Sequence, residues 1–352
     1  MPNYKIYVGT YAQDEHPGIF CYQLTDKSLQ LELLFAQDGI SNPSYLTASA
    51  DGKYLYAVME DMEFRGISGG GVCAFRIDGD ALHYLNQLGT RGTLPCHILL
   101  DQAHHTIYTS NYMSGSLSMF SLDEDGSILS MTDFKQHTGY GPNRFRQEGP
   151  HVHFCGLSAE KDGIWCVDLG LDRLFFYKID DGNMRIFHQP ERDIILPGGV
   201  GPRHFVLPPE HANRMYIVCE LSSEIFVVDF SKTENCFIQR ISTLEQPNGQ
   251  STCAAIKCSP DGRFLYATNR GDDSIAGYAI DEETGLLTRI QVQKTGGRSP
   301  RDILVLDNMV LSANQDSDKI TCFLRDKLTG KLIQMRSEAS CPSPACLIAV
   351  NS

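Results

Sequence analysis

The chain has 352 residues, of which 42% are hydrophobic and 21% charged, as in ordinary globular proteins. Its formal net charge of −13 argues against nucleic acids and anionic membrane surfaces as partners. No apolar run approaches the roughly 18 residues of a membrane helix, and "MPNYKIYVGTY" lacks a signal-peptide pattern. Twelve scattered cysteines without a C-x-x-C pair predict free thiols in a reducing cytoplasm.

A strand-like apolar segment with a central, usually aromatic residue recurs about every 50 residues, a spacing typical of β-propellers. Turn dipeptides such as Asp51-Gly52 and Asp125-Gly126 separate further strand-like runs within each repeat. The pattern predicts an all-β, seven-bladed β-propeller with four-stranded blades, formed as one domain over residues 1–352. The segments are centred on Tyr7, Tyr56, Tyr108, Trp165, Tyr216, Tyr266 and Leu311.

The two ends of the chain carry complementary partial repeats. The strand-like segment 4–11 has no first strand before it, and segment 344–351 is a first strand with nothing after it. Pairing of these N- and C-terminal strands completes a blade, which removes the open edge and closes the predicted ring.

The repeat also predicts where a site lies. In each blade the start of the first strand and the end of the second strand face the same mouth of the central channel, because the two strands are antiparallel. Polar residues at these positions are the candidates, and we expect those of neighbouring blades to cluster. They are His151, His153, Arg203, His204, Glu220 and Arg270, with Glu60, Asn111, Asp168 and Arg301 nearby.

These residue types suit chemistry on an anionic substrate. Guanidinium groups such as those of Arg203 and Arg270 bind phosphate or carboxylate bidentately. A histidine and Glu220 supply acid–base capacity near neutral pH. The structural alternatives to a catalytic role are an inter-blade ion pair of Arg203 with Glu220 and a turn-capping role for Arg270. No P-loop is present, and we expect neither a metal nor a cofactor.

Five motifs together resemble one family: "GPHVHF", "VDLGLDRLFFYKID", "GPRH", "SPDGRFLYATNRGDDSIAGYAID" and "SANQDSDKITCF". They are similar to the seven-bladed propeller lactonases, which include cycloisomerase-type 6-phosphogluconolactonases and fungal carboxy-cis,cis-muconate lactonizing enzymes. The resemblance implies catalytic roles for the histidine of "HVH", Arg203, Glu220 and Arg270. His153 is the favoured histidine, with His151 kept beside it. Cys219 stands where many members have Asn, and strand alternation predicts that it points away from the site.

The activity implied by the resemblance is hydrolysis of 6-phosphoglucono-δ-lactone in the pentose phosphate pathway. The partner is then a small anionic lactone, which Arg203, Arg270, His204, Asn111, Asp168 and Arg301 would contact. A muconate-type lactonase or cycloisomerase, a non-enzymatic propeller scaffold and a metal-dependent sugar lactonase remain as alternatives. Segment 136–149 is either a lid that brings Arg144 and Arg146 to the substrate or a solvated loop, and the oligomeric state stays open.

Overall fold

Short antiparallel strands make up nearly all of the chain in the computed structural model, which describes residues 4–13, 15–24, 30–211, 213–231, 236–246 and 249–351. The chain divides into unit 1, residues 1–199 with 348–352, and unit 2, residues 200–347. In the described residues these strands form seven blades, each with four strands in order and one with a fifth strand added, which we number 1 to 7 in chain order. The predicted seven-bladed β-propeller is therefore confirmed.

Unit 1 contains blades 1 to 4. Blade 2 carries an extra hairpin, β6 with β7, and β18 adds to β16 in blade 4. A 3₁₀ turn, Pro190–Arg192, precedes β18. The strands are β1 (Tyr4–Thr10), β2 (Ile19–Leu24), β3 (Leu31–Gln37), β4 (Leu46–Ala48), β5 (Tyr54–Met59), β6 (Glu63–Phe64), β7 (Ile67–Ser68), β8 (Gly71–Asp78), β9 (Ala81–Gly89), β10 (Pro95–Asp101), β11 (Thr106–Asn111), β12 (Ser116–Leu122), β13 (Ile128–Gln136), β14 (Val152–Leu157), β15 (Gly163–Asp168), β16 (Arg173–Asp180), β17 (Arg185–His188) and β18 (Ile194–Ile195).

Unit 2 contains blades 5 to 7, each a regular four-stranded sheet. A 3₁₀ turn, Gln315–Ser317, follows β28. The strands are β19 (Pro202–Val206), β20 (Arg214–Cys219), β21 (Glu224–Asp229), β22 (Phe237–Ser242), β23 (Thr252–Cys258), β24 (Phe264–Arg270), β25 (Ser274–Ile280), β26 (Leu287–Lys294), β27 (Pro300–Val305), β28 (Met309–Asn314), β29 (Lys319–Arg325) and β30 (Leu332–Ser340).

The last strand, β31 (Pro344–Asn351), completes blade 1. Its residues 348–351 belong to unit 1, and the strand pairs with β1 at the edge of the sheet β3-β2-β1-β31. The predicted pairing of the N- and C-terminal strands is therefore confirmed. It removes an exposed edge from blade 1, which would otherwise present unpaired N–H and C=O groups.

The core lies between the faces of neighbouring sheets. In unit 1 it fills the spaces between blades 2 and 3 and between blades 3 and 4. In unit 2 it fills those between blades 5 and 6 and between blades 6 and 7. The middle strands are buried on both faces. For example, β11, β15 and β28 are buried along their whole length.

Three of the tyrosines in the middle of the repeats are hydrogen-bonded to the following blade. The hydroxyls of Tyr56, Tyr216 and Tyr266 donate to the carbonyls of Gly126, Gly285 and Gly330, at 2.9, 2.8 and 2.6 Å. Each glycine closes the turn before the last strand of the following blade and has a positive φ, which favours glycine there. At these three repeats an inter-blade hydrogen bond adds to the packing between neighbouring blades.

Among the described residues, no helix has the length and apolar character needed to cross a membrane.

Candidate active site

An extra residue interrupts strand pairing at the start of the first strand in blades 3, 4, 5 and 7. The skipped residues are Cys96, His153, Arg203 and Arg301. Such β-bulges re-aim a side chain and are common beside active sites. Three residues that the sequence predicts in the site therefore occupy equivalent bulge positions in their blades.

Arg203, Glu220 and Arg270 form a buried ion-pair cluster in unit 2. Arg203 Nε lies 3.0 Å and Arg270 Nη2 lies 2.9 Å from the same oxygen of Glu220, Oε2. Arg203 and Glu220 are 2% and 4% exposed, and the Arg270 side chain reaches the surface with 17% exposed. Two guanidinium cations around one carboxylate leave one positive charge in excess, which favours an anionic ligand.

Backbone carbonyls fix both guanidinium groups in place. Arg203 Nη1 donates to the Ala254 carbonyl at 2.7 Å, and Arg270 Nη2 donates to the Cys253 carbonyl at 3.0 Å. Arg203 Nη1 also lies 3.2 Å from His204 Nε2, which acts as the acceptor in this contact. Arg270 Nε is buried and has no acceptor among the described residues. A buried donor of this kind is rare and calls for an oxygen from water or a ligand.

Glu220 is held from both sides of its own backbone. Its N–H donates to the Gly201 carbonyl at 2.7 Å, and its carbonyl accepts from the Cys253 N–H at 3.2 Å. It follows β20 directly, and Arg270 is the last residue of β24, as the strand-exit argument predicts. The predicted clustering of Arg203, Glu220 and Arg270 is therefore observed, and their role in catalysis stays a prediction.

Two cysteines next to the cluster are buried thiols. Cys219 and Cys253 are fully buried. Burial raises the pKa of Cys253 to about 12, so this thiol is not an available nucleophile near neutral pH. Its Sγ lies 3.2 Å from the Thr243 hydroxyl.

His151 and His153 lie beside Tyr112 in unit 1. The His151 ring stacks on Tyr112 at 4.5 Å between centroids, and its Nδ1 donates to the Tyr112 carbonyl at 3.1 Å. Its Nε2 lies 3.2 Å from Glu148 Oε1. His153 meets the same tyrosine edge-on at 5.5 Å, with its Nδ1 3.8 Å from Cys96 Sγ. Both histidines are 4% exposed.

Asp168 and Asn111, predicted to contact substrate, make structural contacts in unit 1. Asp168 is fully buried and accepts hydrogen bonds from the backbone N–H groups of His151 and Leu171 at 2.8 and 3.1 Å. Its other oxygen lies 2.6 Å from His137 Nδ1. Asn111 is fully buried, and its amide donates to Ser116 and Ser118.

Sequence reasoning missed His137, because a lone histidine after a strand carries no pattern. The structure places it in a buried chain between Asp168 and the Tyr177 hydroxyl, which lies 2.9 Å from His137 Nε2. Through Asp168, this chain supports the backbone of His151.

Segment 136–149 is anchored by two buried side chains, His137 at its start and Gln147 near its end. The Gln147 amide donates to the Leu169 carbonyl at 2.9 Å and accepts from the Asn143 N–H at 3.1 Å. Arg144 is exposed, and the neighbouring Phe145 is 92% exposed. The lid role stays a prediction.

A polar cleft of about 350 Å³ opens beside Arg270 in unit 2, between the ends of blades 6 and 7. It is lined by Gln250, Thr252, Arg270, Gly271, Asp273, Arg298, Ser299 and Asp316. The strand-start pattern predicts Arg301 in this region, whereas the arginine on the cleft wall is Arg298. The Arg301 guanidinium lies 3.5 Å from Gln315 Oε1 and does not line the cleft.

The described part of the chain contains no group of three or more His, Cys, Asp or Glu side chains arranged to hold a metal ion.

Known proteins are similar to this chain in sequence and fold over nearly their full length. The family model described as "Lactonase, 7-bladed beta-propeller" matches residues 5–349. A Bacillus subtilis protein named 6-phosphogluconolactonase is 34% identical, with 99% of this chain and 98% of that protein covered. A Formosa agariphila protein of the same name is 34% identical, with 95% and 96% covered.

A solved structure agrees. The periplasmic gluconolactonase PpgL of Pseudomonas aeruginosa superposes with a TM-score of 0.91 at 26% identity, and 99% of each chain is covered. The chain therefore belongs to the seven-bladed β-propeller lactonase family and is a lactone-hydrolysing enzyme.

Proposed function

We propose that this enzyme hydrolyses 6-phosphoglucono-δ-lactone to 6-phosphogluconate. The observation that carries the proposal is the Arg203–Glu220–Arg270 cluster, where two guanidinium groups share one carboxylate oxygen next to an open polar cleft. In a chain of net charge −13, a buried excess of positive charge is a selective place for an anion.

The same cluster suits the transition state of lactone opening. Water adds to the carbonyl carbon, the carbonyl oxygen gains negative charge, and the C–O bond to the ring oxygen then breaks. Fixed donors aimed at the developing oxyanion typically contribute about 3–4 kcal/mol each. Arg203 and Arg270 are such donors, because carbonyl contacts on their nitrogens hold both guanidinium groups before the substrate arrives.

A proton must leave the attacking water and another must reach the ring oxygen. We propose Glu220 or His153 for these transfers, with His151 as the further histidine. Glu220 Oε2 is ion-paired with both arginines, so its main contribution is to position them. His153 is then the better candidate for proton transfer, and its bulge position supports this role.

The names of the relatives differ in one chemical respect, the phosphate. The Bacillus and Formosa proteins are named for a phosphorylated lactone, and the Pseudomonas protein is named for gluconolactone. Two arginines favour the phosphorylated substrate for this chain. We also propose a cytoplasmic location, since all twelve cysteines are free thiols, as suits a reducing compartment. We further propose that the seven blades form a single domain.

The test is turnover of lactone generated in situ. Glucose-6-phosphate dehydrogenase supplies 6-phosphoglucono-δ-lactone, and its loss is followed above the spontaneous rate with and without EDTA. Glucono-δ-lactone and muconolactone serve as comparison substrates. EDTA-insensitive acceleration with the highest kcat/KM on the phosphorylated lactone supports the proposal. No acceleration on that substrate, or a preference for muconolactone, refutes it.

A further inference from the structure

The cleft beside Arg270 has two cationic side chains on its wall. Arg270 connects it to the ion-pair cluster, and Arg298 stands in the loop that leads into β27. Its volume of about 350 Å³ falls within the range of small-molecule sites. The remaining lining is polar and includes two acidic residues, Asp273 and Asp316, so an anionic group of a hydroxylated ligand would have to bind at the arginines.

Hydrogen bonds hold Arg298 in place, and its guanidinium is not paired with a carboxylate of the described residues. Its Nη2 donates to the Asp316 backbone carbonyl at 2.7 Å, and its backbone N–H donates to the Ser317 hydroxyl at 3.0 Å. Among the described residues, no carboxylate forms an ion pair with its guanidinium, whereas Arg270 is paired with Glu220. Since guanidinium carries five donors in a planar fork, the other nitrogens remain to bind a phosphate.

The acidic residue closest in sequence to Arg270 on the cleft wall, Asp273, is engaged by backbone. Its Oδ1 accepts from the N–H groups of Gly271 and Ser299, at 3.2 and 2.7 Å. These bonds join the loop after β24 to the loop before β27. Asp273 and Ser299 both hold a left-handed backbone, with φ of 52° and 57°, a strained conformation that persists where the surrounding structure fixes it. The cleft wall is therefore preorganised.

We propose that this cleft receives the phosphorylated end of the substrate and that Arg298 is the residue that selects for phosphate. Arg270 lies at the junction, so the lactone carbonyl faces the Arg203–Glu220–Arg270 cluster while the phosphate extends towards Arg298. The inference rests on the proposed function and assigns its substrate specificity to a residue outside the ion-pair cluster. Thr252, Ser299 and Gln250 supply the groups that a polyhydroxylated chain between the two ends would contact.

The test compares phosphorylated and unphosphorylated ligands. Arg298→Ala should lower kcat/KM for 6-phosphoglucono-δ-lactone about 10- to 100-fold, as expected for loss of a charge-assisted contact. The change should fall mainly on KM, and kcat/KM for glucono-δ-lactone should change less than about twofold. Arg298→Lys should recover part of the loss because it keeps the charge. Lys294→Ala is the matched control, since Lys294 is exposed at the end of β26, pairs with Asp272 and does not line the cleft.

Calorimetric binding of 6-phosphogluconate and of gluconate separates the two claims. If the wild type turns over the phosphorylated lactone and Arg298→Ala changes neither its KM nor 6-phosphogluconate binding, the inference is wrong and the proposed function stands. An equal loss on both lactones likewise overturns the specificity role. If the wild type does not hydrolyse the phosphorylated lactone, the proposed function fails. The inference then survives only if the wild type binds 6-phosphogluconate more tightly than gluconate and Arg298→Ala removes that difference.

Discussion

Glu220→Gln tests whether one carboxylate holds two buried cations in place. The substitution keeps the shape of the side chain but removes the charge that lies 3.0 Å from Arg203 and 2.9 Å from Arg270. Removing one partner of a buried ion pair typically costs about 3–5 kcal/mol, because the remaining charge is left uncompensated. With an unfolding entropy of about 2.1 cal/mol/K per residue, a chain of 352 residues should lose roughly 4–7 °C in Tm.

Differential scanning fluorimetry measures this shift, with Glu224→Gln as the matched control. Glu224 also pairs with an arginine in blade 5, but that partner, Arg240, is 54% exposed, so the control should change stability by less than about 1 kcal/mol. Added 6-phosphogluconate should raise the Tm of Glu220→Gln more than that of the wild type, since its charge replaces the missing carboxylate. A Tm for Glu220→Gln no lower than that of Glu224→Gln would refute the reasoning.

Two further predictions concern proton transfer and buried thiols. His153→Asn should lower kcat about 100-fold or more if His153 transfers a proton, and His151→Asn should cost less; kcat for His153→Asn within a factor of two of the wild type would exclude that role. Burial raises the pKa of Cys73, Cys155 and Cys253 to about 12, whereas an unfolded thiol loses its proton near pH 9. Between these values the unfolded state binds fewer protons, so the unfolding free energy should fall as pH rises, by about 1.4 kcal/mol per pH unit for each thiol. Tm measured from pH 7.5 to 10.5 checks this, and Cys155→Ala should flatten the slope; a Tm independent of pH would contradict it.

The repeat could be predicted because residues within single strands and turns mark it along the sequence. A buried landmark in the second strand recurs in each blade and a glycine turn before the fourth strand recurs in most of them, and the structure connects some of these pairs through bonds such as Tyr56 to Gly126. The composition of blade 1, which combines strands from both chain ends, could be predicted from the number of strands in each partial repeat. The hairpin β6–β7 and the added strand β18 could not be predicted, because each consists of only two paired residues per strand.

The site was predictable only as far as strand ends determine it. Arg203, Glu220 and Arg270 stand at the start or end of strands, so strand order alone brought them together. The bulges that skip His153 and Arg203 depend on register, which the sequence pattern does not reveal. Arg298 was missed because it precedes the strand, and its position depends on a loop held by Asp273.

The most direct test of the account is kcat/KM for 6-phosphoglucono-δ-lactone of an Arg203→Ala variant whose fold has been verified, measured beside the wild-type protein. The substitution removes the ion pair of Arg203 with Glu220 and its hydrogen bond to the Ala254 carbonyl, while Arg270 still pairs with Glu220. We expect a loss of about 100- to 1,000-fold, the usual effect of removing one oxyanion donor. Wild-type activity in a folded Arg203→Ala protein would contradict the central claim that this cluster performs lactone hydrolysis.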